Sequence, residues 1–110
     1  MLLEYWTFTV GDEASGYVLN IGGYSGDAGD ALNVTDVYYN HNGMKFTTDD
    51  RDNDLSGGNY NCAPDRGGGW WYNACFYACL TCIPEDHEWN TLPTDAVLDV
   101  SRMMIKPQPM

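Results

Sequence analysis

Basic residues are scarce in this chain of 110 residues: five Lys and Arg stand against sixteen Asp and Glu, a net charge of −11. Nucleic acid and anionic membrane surfaces both need clustered cations, so neither is expected as a partner. No apolar run is long enough to span a bilayer, which excludes membrane insertion by a helix. The start, MLLEYWTFTVGDE, lacks a basic leader and is interrupted by Glu4, so it does not read as a secretory signal. Histidine is limited to His41 and His87, whose separation matches no metal-ligand spacing; both read as surface residues. No Ser/His/Asp set, Cys/His set or perturbed carboxylate pair can be read, so an enzyme is not expected. Internal repeats and low-complexity tracts are lacking too. The length allows at most one domain with a modest core.

What the chain does have is concentrated between Asp50 and Phe76, DRDNDLSGGNYNCAPDRGGGWWYNACF. Asp50, Asp52 and Asp54 alternate, and Ser56 and a Gly-Gly pair follow. A loop curling around a hard cation brings every second side chain inward, and backbone carbonyls complete a shell of about six to eight oxygens. An EF-hand would need Gly at the sixth position and Glu at the twelfth; Leu55 and Asn61 stand there instead. A solvated acidic turn has the same composition, so spacing alone leaves calcium and plain turn both open.

The other features fit a folded extracellular chain. Hydrophobic residues make up 44% and aromatics 14%, too many for disorder. Four cysteines and an Asn33-Val34-Thr35 sequon suit an oxidising compartment, with Asn33 a candidate glycosylation site. Cys79-Leu80-Thr81-Cys82 lacks the strand-then-helix context of a redox pair, and Cys62 to Cys75 is not a zinc-knuckle spacing. A local Cys79–Cys82 disulfide is the reading preferred, although four cysteines allow three connectivities. Residues 4–10 alternate as a strand, Gly11-Asp12-Glu13 turns, and residues 17–21 form its hairpin partner. Residues 22–30 read as loop closing in one helical turn near 28–32, and residues 44–47, 70–72 and 96–106 as further strands. Trp6, Phe46, Trp70 and Trp71 are expected in the core, and Tyr38, Tyr39, Tyr72 and Tyr77 at the surface.

HNGMKFTTDDRDND, the following C-A, GGGWWYNAC, GYSGDAGDAL upstream and SRMMIKP at the end together resemble the C-terminal globular domain of fibrinogen and its relatives, which include ficolins, tachylectins, angiopoietins and tenascins. The resemblance covers most of residues 4–73 and the final strand. It implies an α+β fold: a small, twisted, mainly antiparallel sheet with short helices and a loop-rich calcium-binding subdomain. It implies calcium held by the side chains of Asp52 and Asp54 and the carbonyls of Ser56 and Gly58. A Cys62–Cys75 disulfide and a cis peptide at Ala74–Cys75 are implied as well. Domains of this family are longer and begin upstream, so Met1 reads as internal and the chain as the latter part of one domain. Its sheet-bearing part spans about residues 1–48, the calcium and disulfide region 49–95, and the terminal strand and tail 96–110.

The chain departs from the family in two ways. Two residues are added between Asp54 and Cys62, which weakens Gly58 most as a ligand. After the second cysteine, Phe76 stands where relatives carry a histidine, and a shorter cysteine-bearing segment replaces the one that lines their acetyl-binding pocket. Tyr72, Ala74, Cys75, Phe76 and Tyr77 remain as a candidate ligand surface more apolar than the family's. The functional expectation is an extracellular, calcium-binding structural or protein-binding component of a larger assembly, meeting a protein partner or an oligomer. The alternative is a calcium-dependent, lectin-like module that recognises acetylated glycans.

Overall fold

The structure, a computed structural model, describes residues 2–92, 98 and 100–107. It opens with a hairpin. Strand β1, Leu3–Val10, pairs antiparallel with β2, Leu19–Gly26, in a register that sets Phe8 beside Ile21 and Val10 beside Leu19. A short 3-10 turn, Glu13–Ser15, joins them, with Asp12 accepting the Ser15 amide at 3.0 Å. Tyr17 closes the turn in the left-handed region at φ 58°, which is why β2 begins two residues later than alternation suggests.

The second strand also runs further than expected. Gly22 and Gly23 were loop signals by composition, yet they lie in β2, which extends to Gly26. A Cβ on Gly23 would come within 2.7 Å of the Trp6 Cβ, and its φ is +68°. Glycine here permits close approach of the paired strand rather than a break. Beyond it, residues 28–32 make a non-helical turn.

The core lies against one end of the hairpin. Leu19, Ile21, Trp70, Trp71, Cys62 and Cys79 are buried there with Ala31 and Leu32. Phe8 and Phe46 meet Trp71 edge-on, with ring centroids 6.1 and 5.3 Å apart. Trp70, Trp71 and the partly buried Phe46 thus form the core as expected, but Trp6 does not: it is 68% exposed. Trp6 shares the face of Phe8, but only the end of that face nearest the turn meets Trp71.

The remaining elements are short. Helix α1, Cys62–Arg66, lies in a stretch to which the sequence assigned no element; the Asn61 side chain caps it at the Ala63 amide, and Gly67 ends it at φ 93°. Strands β3, Ala78–Cys79, and β4, Glu88–Trp89, pair antiparallel across the 3-10 turn Pro84–Asp86. The strands expected at 44–47 and 70–72 reduce to a single bridge between Thr47 and Trp70. For the expected terminal strand, residues 96, 97 and 99 lie outside the described residues, and residues 98 and 100–106 join no ladder.

Two disulfides replace the regular structure that the loops lack. Cys62–Cys75 has an S–S distance of 2.04 Å and Cys79–Cys82 one of 1.96 Å. Their sequence separations of 13 and 3 residues make the first the stronger constraint on the unfolded chain. Replacing Cys62 and Cys75 together by Ala should cost about 3 kcal/mol, and replacing Cys79 and Cys82 about half of that. Urea midpoints of the two double variants check the order; equal losses would contradict it.

Candidate functional site

Two segments come together at the Cys62–Cys75 bond: the acidic loop 50–58 and the chain around the cis peptide 74–75. The acidic loop is a series of side-chain-to-backbone turns. Asp52 accepts the Asp54 amide at 3.2 Å, and Asp54 accepts the Ser56 amide at 3.0 Å and the Cys62 amide at 2.8 Å. Asn53, between them, points the other way: its amide reaches the Thr47 hydroxyl and its side chain the Phe46 carbonyl. Alternation therefore puts Asp52 and Asp54 on one side and a structural anchor on the other. Asp50 stands apart, fully exposed, its carboxyl held below the usual range by the Thr48 hydroxyl.

Partial burial raises the Asp54 carboxyl above the usual range, and the neighbouring Asp52 carboxylate adds to this, against the two backbone amides it accepts. Ser56 turns its hydroxyl to the disulfide, 3.4 and 3.5 Å from the two sulfurs, so its carbonyl is the oxygen left for a cation. Gly58 is exposed and takes a left-handed turn at φ 66°. Among the described residues no three His, Cys, Asp or Glu side chains converge as a metal cluster. The donor set fits a hard cation all the same, because two carboxylates keep spare lone pairs and calcium accepts carbonyls and water for the rest.

The second segment is held from beneath by buried polar groups. The cis peptide lies between Ala74 and Cys75. Asn73, 1% exposed, donates its side-chain amide to the carbonyls of Val37 at 2.9 Å and Asn40 at 2.8 Å. Its own carbonyl accepts the Leu55 amide, and the Ala74 amide donates to the Tyr38 carbonyl, both at 3.1 Å. These bonds join the acidic loop, the 34–40 loop and the cis peptide into one unit.

His41 completes it. Expected at the surface, it is fully buried. Its Nδ1 lies 2.8 Å from the Trp71 carbonyl, and its Nε2 accepts the amides of Tyr77 at 3.0 Å and Ala78 at 3.2 Å. Two donors on Nε2 require the neutral ring with its proton on Nδ1. A lone histidine carries no sequence signal for this; the contacts span at least 30 residues of chain. His87 is half-buried and bonds the Ser101 hydroxyl at 2.9 Å.

The candidate ligand residues divide. Tyr72, expected at the surface, is buried, its hydroxyl donating to the Gly68 carbonyl at 2.6 Å. The ring fills the core because the glycine run beside it leaves room and a carbonyl for its hydroxyl. Ala74, Cys75, Phe76 and Tyr77 remain partly accessible. Phe76 lies under the Arg66 guanidinium at 5.5 Å, and Arg66 also pairs with Asp86 at 3.4 Å. Around them Val37, Tyr38 and Leu55 are 74%, 66% and 62% exposed, and Tyr39 approaches Tyr77 at 6.1 Å between ring centroids. Val37 and Leu55 were not picked out from sequence; two apolar residues in polar loops carry no periodic signal. Asn33 is exposed, as a glycan acceptor must be.

The hairpin, the Cys62–Cys75 clip and the cis peptide define a class. The chain belongs to the fibrinogen family: the profile for the fibrinogen beta and gamma chains, C-terminal globular domain, matches residues 1–107. Among individual proteins, it is similar to fibrinogen-like protein 1 of Rattus norvegicus, 50% identical over 85 residues that cover 73% of this chain and 26% of that protein. It is also similar to the fibrinogen alpha chain of Homo sapiens, 49% identical over 81 residues, 69% of this chain and 9% of the relative. The chain thus spans about a quarter or less of the length of these relatives. In structure it resembles the fibrinogen-like globe domain of human ANGPTL2, with TM-score 0.60, 44% identity, and coverage of 72% of this chain and 33% of that one. A lamprey fibrin D-dimer complexed with the peptide Gly-His-Arg-Pro-amide matches at TM-score 0.59 and 35% identity, covering 67% of this chain and 25% of that one. The α+β fold expected from the sequence is that of these neighbours.

The buried histidine makes stability pH-dependent. Burial lowers the His41 pKa to about 4, against an ordinary value of about 6.5. Between these values the unfolded chain takes up a proton that the folded chain refuses, so stability falls as pH drops through that window. The loss should approach about 3 kcal/mol below it. Urea midpoints measured at steps from neutral pH to pH 4 should fall for the natural chain. His41→Gln should start less stable and follow a flatter acid limb; an unchanged slope would assign the effect to other groups.

Proposed function

We propose that the chain serves as an extracellular, non-catalytic, calcium-binding module whose task is to bind protein. The carrying observation is the rigid platform at 73–78. Asn73 and His41 are both buried and both spend their side chains holding backbone. The exposed Val37, Tyr38 and Leu55 rise around that platform. Fixed backbone with an apolar and aromatic border suits packing against a protein surface, since little ordering remains to oppose binding. A similar protein, lamprey fibrin, has been captured with a peptide ligand, in keeping with such a role. Extracellular placement is supported by the two disulfides and by the exposed sequon at Asn33.

Calcium would be held by Asp52 and Asp54 with the carbonyls of Ser56 and Gly58, neutralising two carboxylates two residues apart. With only two charged ligands the affinity should be modest, about 10⁻⁴–10⁻³ M as for extracellular modules. Calorimetry should register calcium uptake by the natural chain and none by the Asp52→Ala, Asp54→Ala double variant. Undiminished uptake by the double variant would sink this ligand set.

The glycan reading is the less favoured one. Phe76 offers no hydrogen-bond donor, its ring is covered by Arg66, and the Tyr72 hydroxyl is committed to Gly68. A site that must pair the polar atoms of an acetyl group loses discrimination when such groups are missing. The isolated chain should pass through N-acetylglucosamine beads without retention. Saturable retention that a chelator reverses would establish the lectin reading instead.

A further inference from the structure

The turn of the hairpin and the segment 46–53 frame a cavity of about 270 Å³. Asn53 lines it and neither Asp52 nor Asp54 does, so it is separate from the carboxylates proposed for calcium. No residue of the platform at 73–78 reaches it either. Small-molecule sites usually enclose about 300–1,000 Å³, so this space suits one compact ligand.

Its walls are already fixed. The Phe46 amide donates to the Gly16 carbonyl at 2.9 Å, which ties the hairpin turn to the opposite wall. Asn53 is anchored to Thr47 and Phe46, and Thr48 and Arg51 exchange two backbone bonds of 3.1 Å. Tyr17 is held hardest of all. Its amide donates to the Asp12 carbonyl at 3.0 Å, and the Trp71 indole donates to its carbonyl, also at 3.0 Å. Among the described residues it is the one non-glycine with a positive φ, a conformation that disfavours a bulky side chain. A tyrosine nevertheless stands there, 43% exposed and lining the cavity. Walls fixed in this way lose little freedom when a ligand enters.

The lining selects the ligand. The rings of Tyr17 and Phe46 and the carboxylates of Glu13 and Asp50 together suit an organic cation, a planar guanidinium above all. Arg51 lines the same space with the opposite charge, and among the described residues it forms no salt bridge. A simple cation would be repelled by Arg51. A ligand carrying a carboxylate at its other end would instead gain a two-pronged partner there.

We propose that this cavity binds a basic amino acid by both of its ends. The side-chain cation lies against the Tyr17 and Phe46 rings beside Glu13 and Asp50, and the α-carboxylate pairs with Arg51. A free basic amino acid and a basic residue at the carboxyl end of another chain present these same two groups.

The test titrates the 110-residue chain with L-arginine, with agmatine, which lacks the carboxylate, and with the peptide Gly-Gly-Arg, followed by amide NMR shifts. L-Arginine should bind saturably, with a Kd of about 1 mM, and move the amides of Gly16, Tyr17 and Asn53. Agmatine should bind at least about tenfold more weakly, although its net charge is larger. Simple attraction to a chain of net charge −11 gives the opposite order, and agmatine binding as well as arginine would overturn the proposal. Arg51→Gln should abolish the preference for arginine over agmatine, and Glu13→Gln should weaken both ligands. Both side chains are exposed, so the variants should keep the urea midpoint of the natural chain. Gly-Gly-Arg binding as tightly as arginine would assign the site to the carboxyl end of a protein; its failure beside arginine binding would assign the site to the free amino acid. Absence of saturable shifts with arginine, or shifts confined to residues outside the cavity, would overturn the proposal, as would binding indifferent to both variants.

Discussion

Everything at the acidic end of the molecule depends on backbone groups with no regular ladder to pair them. Two buried side chains do that work. Asn73 satisfies carbonyls of the 34–40 loop, and His41 satisfies the amides that follow Phe76. A buried backbone amide left unpaired costs roughly 1–3 kcal/mol, so removing either side chain exposes several such costs at once. Among the described residues, regular helix and strand in this half amount to one short α-helix and two two-residue strands. Side-chain bonds, a cis peptide and two disulfides take their place.

The same arrangement separates two kinds of surface. On the acidic side, Asp52 and Asp54 curl toward their own loop while Asn53 fastens that loop to Phe46 and Thr47. On the other side, the Leu55 amide reaches the Asn73 carbonyl, so the acidic loop and the cis peptide share a backbone bond. The acidic loop and the platform are therefore joined by one backbone hydrogen bond and one disulfide.

Local chemistry was legible in the sequence wherever a residue's role depends on its near neighbours. The hairpin could be read from alternation, the acidic loop from the spacing of Asp50, Asp52 and Asp54, and the Cys79–Cys82 bond from closeness in the chain. The motif pattern around GGGWWYNAC, taken with HNGMKFTTDDRDND upstream and SRMMIKP at the end, identified the family. The glycines of β2 were misread, since a local rule cannot tell a turn from a strand that another strand presses closely. Helix α1 had its signals, Asn61 before it and Gly67 after it, but five residues make too little periodic pattern to stand out.

By itself the sequence determined the family, the fold class and the crowding of carboxylates into one loop, because motif, composition and spacing are properties of short stretches. Burial was decided only in three dimensions. Trp6 and Trp70 are the same residue type, yet one is 68% exposed and the other 1%. Tyr72 found a carbonyl inside, while Tyr38 found none and stayed out. His41 became the keystone through Trp71, Tyr77 and Ala78, partners at least 30 residues away. Which polar groups end up facing each other after the chain closes depends on the path of the whole backbone, and no short stretch of sequence contains that path.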